Sequence, residues 1–521
     1  MRRACQRAIA CFAKGVRIVR PAAAATAGAL ALAACTMFQT TAVLAPPAAV
    51  SIDCATAGVV GLRWSAASSG KKAAAYGIAR DGRPIGTTAD LRFADTGVSA
   101  SASYVYTVSA IDSAGNAAAA DSLNVTTPAA AANGDAPYCQ SRSILSMTWD
   151  WTHGYRAADG SDLWPVTWGR DGNVYAFFGD GGGFGGDDHR GRTSFGIARI
   201  SGRPPLSPGD EVNVYGGYLA LHPSRLSGKV RSLIAVGRDF YAIAGIYRSG
   251  DAKFRHPPPI SGAPEHVEIV YSRHDANSWR ESGWTFCDPD AAAAALDSFC
   301  PSGFVNHGRA GDGSRDRYVY ILGTSPAADG RRQAEAPAAR TYLARVPRNR
   351  LLIQAAYRYF AGVDSRSRPV WSGDAERMQP VFTDRNVSQP GCGGRCGMAG
   401  SLEEAVYDAP LKRYIGVAQG DFLAQTSFYE AANPWGPWAT ISYQNIRAAD
   451  GSGGWGNLGS GAGESLGVHI VNAWTGADGR TLWMAYSSDG LAPPGALFPP
   501  AGSKLDAFHL VRADLQVVPP Q

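Results

Sequence analysis

An all-β architecture is predicted for this 521-residue chain by three observations. It carries 62 Gly, 21 Tyr and 13 Trp, residues of turns and pleated surfaces. Beyond the first fifty residues no long stretch keeps a helical period. Short alternating apolar runs bounded by Gly, Asp and Asn recur instead to the C-terminus.

Residues 1–34 stand apart. Arg2, Arg3, Arg7, Lys14, Arg17 and Arg20 precede an Ala/Leu-rich run from Ala22 to Ala34, and Leu32-Ala33-Ala34-Cys35 closes it. This resembles the lipobox of bacterial lipoproteins, which implies cleavage before Cys35, its lipidation, and a membrane as partner through that lipid. An ordinary signal peptide cut nearby is the alternative, and export follows from either. The apolar run is short for a membrane span. The formal charge of +5 is a property of this leader: it holds six of the 49 basic residues and no acid, so 43 basic residues face 44 acidic ones in the remainder. A nucleic-acid partner is therefore not expected. Residues 35–48, rich in Thr, Ala and Pro, form a flexible tether.

Residues 49–128 read as short strands. Trp64, Tyr76 before an Asp81-Gly82 turn, the Tyr104-x-Tyr106 pair, Asp112-x-x-Gly115-Asn116 and a closing Thr126-Thr127-Pro128 resemble a fibronectin type III module. The resemblance implies a seven-strand sandwich packed around Trp64, a spacer or ancillary binding unit without catalysis. An Ala/Asn/Gly linker, 129–137, follows it.

Of nine cysteines, Cys5 and Cys11 lie in the leader and Cys35 in the lipobox. The remaining six suit disulfides in an oxidising compartment. Cys287 with Cys300 and Cys392 with Cys396 are the natural local pairs, leaving Cys54 for Cys139. Cys392 and Cys396 lack the second nearby pair that a zinc site needs, and no metal is assigned.

From residue 138 to 521 a two-part unit repeats. Its first part is an aromatic strand after a turn: DGNVYAFFGD from Asp171, GRDFYAIAGI from Gly237, RDRYVYILGT from Arg315, LKRYIGVAQG from Leu411 and GRTLWMAYSS from Gly479. Its second part follows in the same order: SFGIARIS from Ser194, VEIVYSRH from Val267, TYLARVPR from Thr341, TSFYEAAN from Thr426 and DAFHLVRA from Asp506. A unit that cannot bury its apolar face alone is stabilised by radial stacking, so a β-propeller is expected, five-bladed, or six-bladed if the His307 region hides a degenerate copy. SILSMTW, Ser143 to Trp149, is placed to complete the final blade.

The chemistry is sought at the first unit. Two apolar runs, Leu163 to Trp168 and Val174 to Phe178, flank an Arg-Asp-Gly-Asn turn and predict a hairpin. Its register puts Asp162 opposite Asp180 or Gly181, with both acids at one rim. Asp150, between Trp149 and Trp151, is a third candidate acid, and its tryptophans are candidate sugar-stacking walls. Glycoside hydrolysis needs one protonated and one ionised carboxyl, and close, partly desolvated acids acquire split pKa values. The competing uses of Asp162 and Asp180 are turn capping, or calcium binding together with Asp187 and Asp188. Glu403, beside Glu404, is another candidate funnel carboxylate, and Trp164, His189, Arg190 and Arg192 are candidate substrate contacts. The Gly181 to Gly186 loop lacks the Lys-Ser/Thr of a nucleotide cradle.

Asp162-Leu163 opening a strand, a turn, and an aromatic strand ending Phe178-Gly179-Asp180 resemble the five-bladed propeller glycosidases that include bacterial endo-D-arabinofuranosidases. The resemblance implies acid and base roles for Asp162 and Asp180. Trp164 and Gly181 depart from the pattern, which bears on the substrate. The expected function is hydrolysis of an envelope or environmental polysaccharide, furanoside-rich such as arabinan, by a monomer that requires no cofactor. Two alternatives stand beside it: a non-catalytic carbohydrate-binding surface lipoprotein, and a polysaccharide lyase using His307 or a tyrosine.

Overall fold

The computed structural model describes residues 43–519 apart from 69, 130–135, 248–264, 288–298, 326–337, 365, 367, 385–399, 421–422, 444–463 and 490–505. Among the described residues the regular structure is strand with short 3-10 turns. No described helix is long and apolar enough to cross a membrane.

The first eight strands are β1 (Ala48–Ala55), β2 (Val60–Ser65), β3 (Ala75–Arg80), β4 (Arg83–Thr88), β5 (Arg92–Asp95), β6 (Ser103–Ile111), β7 (Ala117–Ala119) and β8 (Leu123–Thr126). They form a sheet β1-β2-β5 and a sheet β4-β3-β6-β7 in which β8 also pairs with β6. Alternation puts Val60, Leu62 and Trp64 on one face of β2, where they pack with Tyr76, Ile78, Tyr106 and Val108. Burial of Tyr106 strands a phenol, and its hydroxyl is satisfied by donating to Asp95, which also pairs with Arg80 at 2.8 Å.

The remaining strands are antiparallel meanders. After β9 (Ile144–Ala157), β10 (Asp162–Trp168), β11 (Val174–Gly179), β12 (Gly196–Ile200) and β13 (Glu211–Tyr215) form one sheet. β14 (Gly228–Val236), β15 (Asp239–Tyr247), β16 (Glu265–Ser272) and β17 (Arg280–Glu281) form the next. β18 (Cys300–Asn306), β19 (Tyr318–Thr324), β20 (Ala339–Pro347), β21 (Arg358–Val363) and β22 (Pro369–Ser372) follow, with β23 (Phe382–Asp384) paired to β20. β24 (Ser401–Asp408), β25 (Arg413–Gly420), β26 (Leu423–Ala431) and β27 (Ala439–Ser442) join them through a parallel pairing of Val305 with Ala405. β28 (Glu464–Ile470), β29 (Thr481–Asp489) and β30 (Phe508–Val517) make the last sheet, and its fourth strand is β9.

The first strands of the meanders are neighbours in a closed cycle. β10 lies against β14 and β28, β14 against β18, β18 pairs with β24, and Glu404 of β24 binds the backbone of β28. Each wedge between adjacent sheets holds an apolar cluster, among them Phe177, Phe195, Phe240 and Trp279 in one and Trp164, Phe178, Phe508 and Leu510 in another. Radial sheets around a ring of inner strands are a β-propeller. The aromatic repeat elements fall on β11, β15, β19, β25 and β29, and the elements that follow them on β12, β16, β20, β26 and β30. Ser143 to Trp149 runs into β9, which pairs along β30 from Ala157↔Phe508 to Ile144↔Val517 and so closes the ring.

One irregularity recurs. Each inner strand breaks register with its partner near its start: between Leu163 and Val166, Val230 and Ser232, Pro301 and Gly303, Leu402 and Glu404, and Leu466 and His469. Bulges bend a strand and re-aim its side chains, so this end of the ring is built to differ from the other.

Cys54 and Cys139 form a disulfide with Cα atoms 6.0 Å apart, and Cys287 and Cys300 another at 5.4 Å. Both separations are ordinary for such bonds. Cys35, Cys392 and Cys396 lie outside the described residues.

Candidate active site at the mouth of the ring

Asp162 is the first residue of β10, and Asp180 follows the last residue of β11. Their register departs from the expected one. The hairpin starts with Trp168 facing Val174, but the bulge shifts the pairing so that Asp162 faces Gly179 rather than Asp180 or Gly181. The backbone shows why: Leu163 and Trp164 are left-handed, at φ 81° and 59°, as is Asp180 at 56°. Such conformations are costly for residues with side chains and persist where surrounding structure enforces them.

The enforced geometry converges on a cation. Lys229, near the start of β14, places its Nζ 2.7 Å from Asp180 Oδ1 and 3.5 Å from Asp162 Oδ1. Reaching one ammonium, the two Oδ1 atoms are at most about 6 Å apart. Gly179 makes room, because a Cβ there would sit 2.9 Å from Lys229 Nζ and 3.2 Å from Asp162 Oδ1. The side chains of Asp162 and Lys229 are only 15% and 19% exposed. Burial raises the Asp162 pKa, against the pull of Lys229 and with a further push from Asp180. Burial alone would lower the lysine, but Asp162 and Asp180 outweigh it and hold its pKa above the ordinary value. Asp162 therefore holds its proton more tightly than an ordinary carboxyl.

The glycine loop after Asp180 is anchored from beneath. Ser161 Oγ accepts from Gly183 N–H, Asn213 Oδ1 accepts from Phe184 N–H, and Asn213 Nδ2 donates to Phe184 and Tyr218 carbonyls. Asp187 caps the following turn by accepting from the N–H groups of His189 and Arg190, which lowers its pKa. His189 and Arg190 are exposed, and the Arg190 guanidinium lies over Tyr218, 4.6 Å from the ring centre. Arg192 reaches back to Asp188, and its charge is felt at Asp162.

Across the ring, Glu403 is half-buried and Glu404 is buried. The Glu404 carboxylate accepts from His469 Nδ1 at 2.5 Å and from Ile470 N–H at 2.9 Å.

Several expected contacts are corrected. Trp164 is not a substrate wall: it is completely buried, donates from Nε1 to the Ser161 carbonyl, and packs on Phe178, Phe184 and Phe508. The bulge that frees Asp162 turns this indole inward. Trp149 and Asp150 are not brought to Asp162 and Asp180, because β9 is the outermost strand of its sheet, and the side chain of Trp151 lies outside what the structure describes. Trp149 packs on Phe428, and Asp150 faces Arg512 across the ladder. His307, the candidate lyase base, sits in the core, where Nδ1 donates to the Val305 carbonyl and Nε2 accepts from the Tyr414 hydroxyl. Burial pushes its pKa down to about 4.

Sequence reasoning missed Lys229, Glu404's partner His469 and the hub Asn213. Lys229 opens an alternating run, Lys-Val-Arg-Ser-Leu, and a lysine there reads as a solvated strand start. Among the described residues one metal-ligand type cluster occurs, His266, Glu268 and Glu281, with ligand atoms within 4.8 Å. Glu268 is already bonded to His266 and to the Ser282 N–H and hydroxyl.

No protein-family model matches the chain. Over 108 residues it is 34% identical to an exoglucanase B of Cellulomonas fimi, covering 20% of this chain and 10% of that protein. Over 86 residues it is 40% identical to an alpha-amylase of Niallia circulans, covering 16% and 7%. The chain thus spans a tenth or less of the length of these curated relatives. Among solved structures, a GH43 β-xylosidase/α-arabinofuranosidase from a compost microbial metagenome, in complex with xylotriose, aligns over 69% of this chain and 98% of its own, at 11% identity and a TM-score of 0.34. The fibronectin type III domain of human fibronectin type III domain containing protein 3 aligns over 17% of this chain and 93% of its own, at 20% identity and a TM-score of 0.16.

Proposed function

We propose that the chain is an exported glycoside hydrolase in which Asp162 and Asp180 are the catalytic pair. The reading divides it into a lipoprotein signal peptide (1–34) ending before Cys35, a tether (35–48), a fibronectin type III sandwich (49–128), a linker (129–137) and a five-bladed propeller (138–521). The single observation that carries the reading is the pair of carboxylates sharing the buried ammonium of Lys229 where the inner strands begin.

Asp162 holds its proton more tightly than an ordinary carboxyl and is the general acid, protonating the leaving glycosidic oxygen. Asp180, in the closer ion pair, is the ionised partner that activates water or attacks the anomeric carbon. Lys229 lies between the two carboxyls as their shared counter-charge. Because the counter-charge is a side chain of this protein, no metal is needed to hold the pair. Glu403, His189 and Arg190 are the proposed rim contacts for a polysaccharide such as arabinan. The two disulfides fit an oxidising compartment.

Asp162→Asn and Asp180→Asn are each expected to lower reducing-end release from arabinan or xylan by about 10³-fold or more, with melting temperature nearly unchanged. Parent-like hydrolysis by both variants would overturn the assignment. Polymer binding by a parent that releases no reducing ends would make the chain a lectin.

A further inference from the structure

The end of the ring away from the mouth carries a site of another kind, on the third meander. β18 begins at the mouth with its register break, so the pairing of Tyr318 with Pro347, where β19 begins and β20 ends, lies at the opposite end. The sequence there is strongly basic: residues 315–317 and 345–350 hold five arginines and one acid. That acid is engaged elsewhere. Asp316 accepts from the Tyr318 N–H at 2.8 Å and from the Tyr320 hydroxyl at 2.6 Å. Among the described residues none of the five arginines makes a salt bridge.

These charges border a cavity of about 550 Å³ lined by Arg317, Pro347, Arg348, Asn349 and Arg350. Its volume is that of a small-molecule pocket, and its lining offers three guanidinium groups and no carboxylate. Like charges gathered around one space repel, and a bound anion relieves that repulsion. The arginines are also held in place. The Arg348 N–H donates to the Arg317 carbonyl at 3.0 Å, tying the two segments together, and Arg348 Nη2 donates to the Asp316 carbonyl at 3.1 Å. A guanidinium presents forked donors that match a carboxylate or a phosphate.

Beside the cavity the surface turns aromatic. Arg317 lies over Tyr318, and Arg345 is stacked between Tyr318 and Trp371, 4.1 Å from each ring centre. Trp371 meets Trp435 at 6.3 Å, and both indoles are half-buried. A flat membrane surface or a lone phosphate has no use for a concave pocket joined to an aromatic strip. A sugar chain carrying acids uses both, its anions meeting the guanidinium groups and its rings the apolar faces.

We infer that Arg317, Arg348 and Arg350 form a binding site for an acidic polysaccharide, whose carboxylates the arginines take. The site is separate from Asp162 and Asp180 and stands whether or not they hydrolyse glycans. It gives the chain a second hold on carbohydrate, at the back of the ring.

The test uses the full chain carrying Asp180→Asn, so that no polymer is consumed. Titration calorimetry compares polygalacturonate, linear arabinan, and vesicles of phosphatidylcholine with phosphatidylglycerol. Polygalacturonate is expected to bind, with an affinity that falls as salt is raised. Arg317→Gln combined with Arg350→Gln should weaken it by about tenfold or more at unchanged melting temperature. Arg348→Lys, which keeps the charge and loses the fork, should lose part of the affinity. A charge-matched control, Arg83→Gln combined with Arg92→Gln at exposed positions of the sandwich, should bind like the parent. An equal loss in that control would reduce the effect to net charge and overturn the site. Unchanged affinity in the folded Arg317→Gln/Arg350→Gln protein, or a parent that does not bind polygalacturonate, would overturn it too. Binding to the anionic vesicles and not to polygalacturonate would replace it with a membrane contact. Arabinan hydrolysis, measured with Asp180 intact, should be the same with and without the arginine substitutions, which keeps this result apart from that of the proposed hydrolase.

Discussion

The inner strands have two ends, and the two ends are built on opposite rules. At the mouth, each strand slips register, three residues of the first hairpin take left-handed backbone, and charged groups meet with little water around them. At the far end, the inner strands of the first three sheets are tied together by neutral hydrogen bonds. Thr167 Oγ1 accepts from Ala235 N–H at 2.9 Å and lies 3.4 Å from Asn306 Oδ1, and His307 uses both ring nitrogens. A cavity of about 10 Å³, no more than one water, remains among Thr167, Asn306 and Asn472. The first inner strand thus carries left-handed backbone and charge at one end and neutral hydrogen bonds at the other, and the proposed chemistry belongs to the first.

The largest effect that would break this contrast is at Lys229. Lys229→Met should lower kcat/KM by about 10²-fold. It should also move the basic limb of the pH profile upward: losing the cation disfavours the Asp162 anion, so the acid stays protonated to higher pH. An unmoved limb would show that Lys229 does not govern the pair. At the far end, Thr167→Val leaves the Ala235 N–H buried and unmet, which should cost about 1–3 kcal/mol in chemical denaturation while activity per folded molecule holds. Lost turnover in that folded variant would erase the division between the ends.

The smallest effect sharpens the contrast. Asp408, the last residue of β24, has Oδ1 bonded to Leu411 N–H and a buried Oδ2 with no partner. Burial pushes its pKa up to about 6, against that N–H and with a push from Asp478. A carboxyl with a raised folded pKa stabilises below its unfolded value near 3.8, and that contribution is lost as pH rises through 6. Asp408→Asn should therefore stabilise the protein at pH 8 by on the order of 2 kcal/mol and do almost nothing at pH 4, as read from thermal melts.

How much of this was legible in the sequence differs by interaction range. The repeated aromatic elements fall on second and third strands because alternation and turn residues are local signals. The acidic pair is at one rim for the same reason. The one-residue slip was not legible, since it depends on left-handed backbone at Leu163 and Trp164, neither a residue that advertises that conformation. Trp164 was misread with it. Asp150 is instructive in another way: Ser143 to Trp149 was rightly placed as a closing strand, and a closing strand is an outer one, so its neighbour Asp150 had to be far from the funnel. Lys229 is 49 residues from Asp180 and His469 is 65 from Glu404, and each pair meets only where consecutive sheets pack together.

The Cys54–Cys139 bond joins the first strand of the sandwich to the chain just before β9. A pull applied ahead of Cys54 would pass through sulfur to Cys139, so the sandwich between them bears none of the load. The force arrives instead at β9, whose long ladder with β30 resists it along many hydrogen bonds at once. Reduction would reroute the load through the sandwich, turning eighty folded residues into slack that extends before the ring is strained.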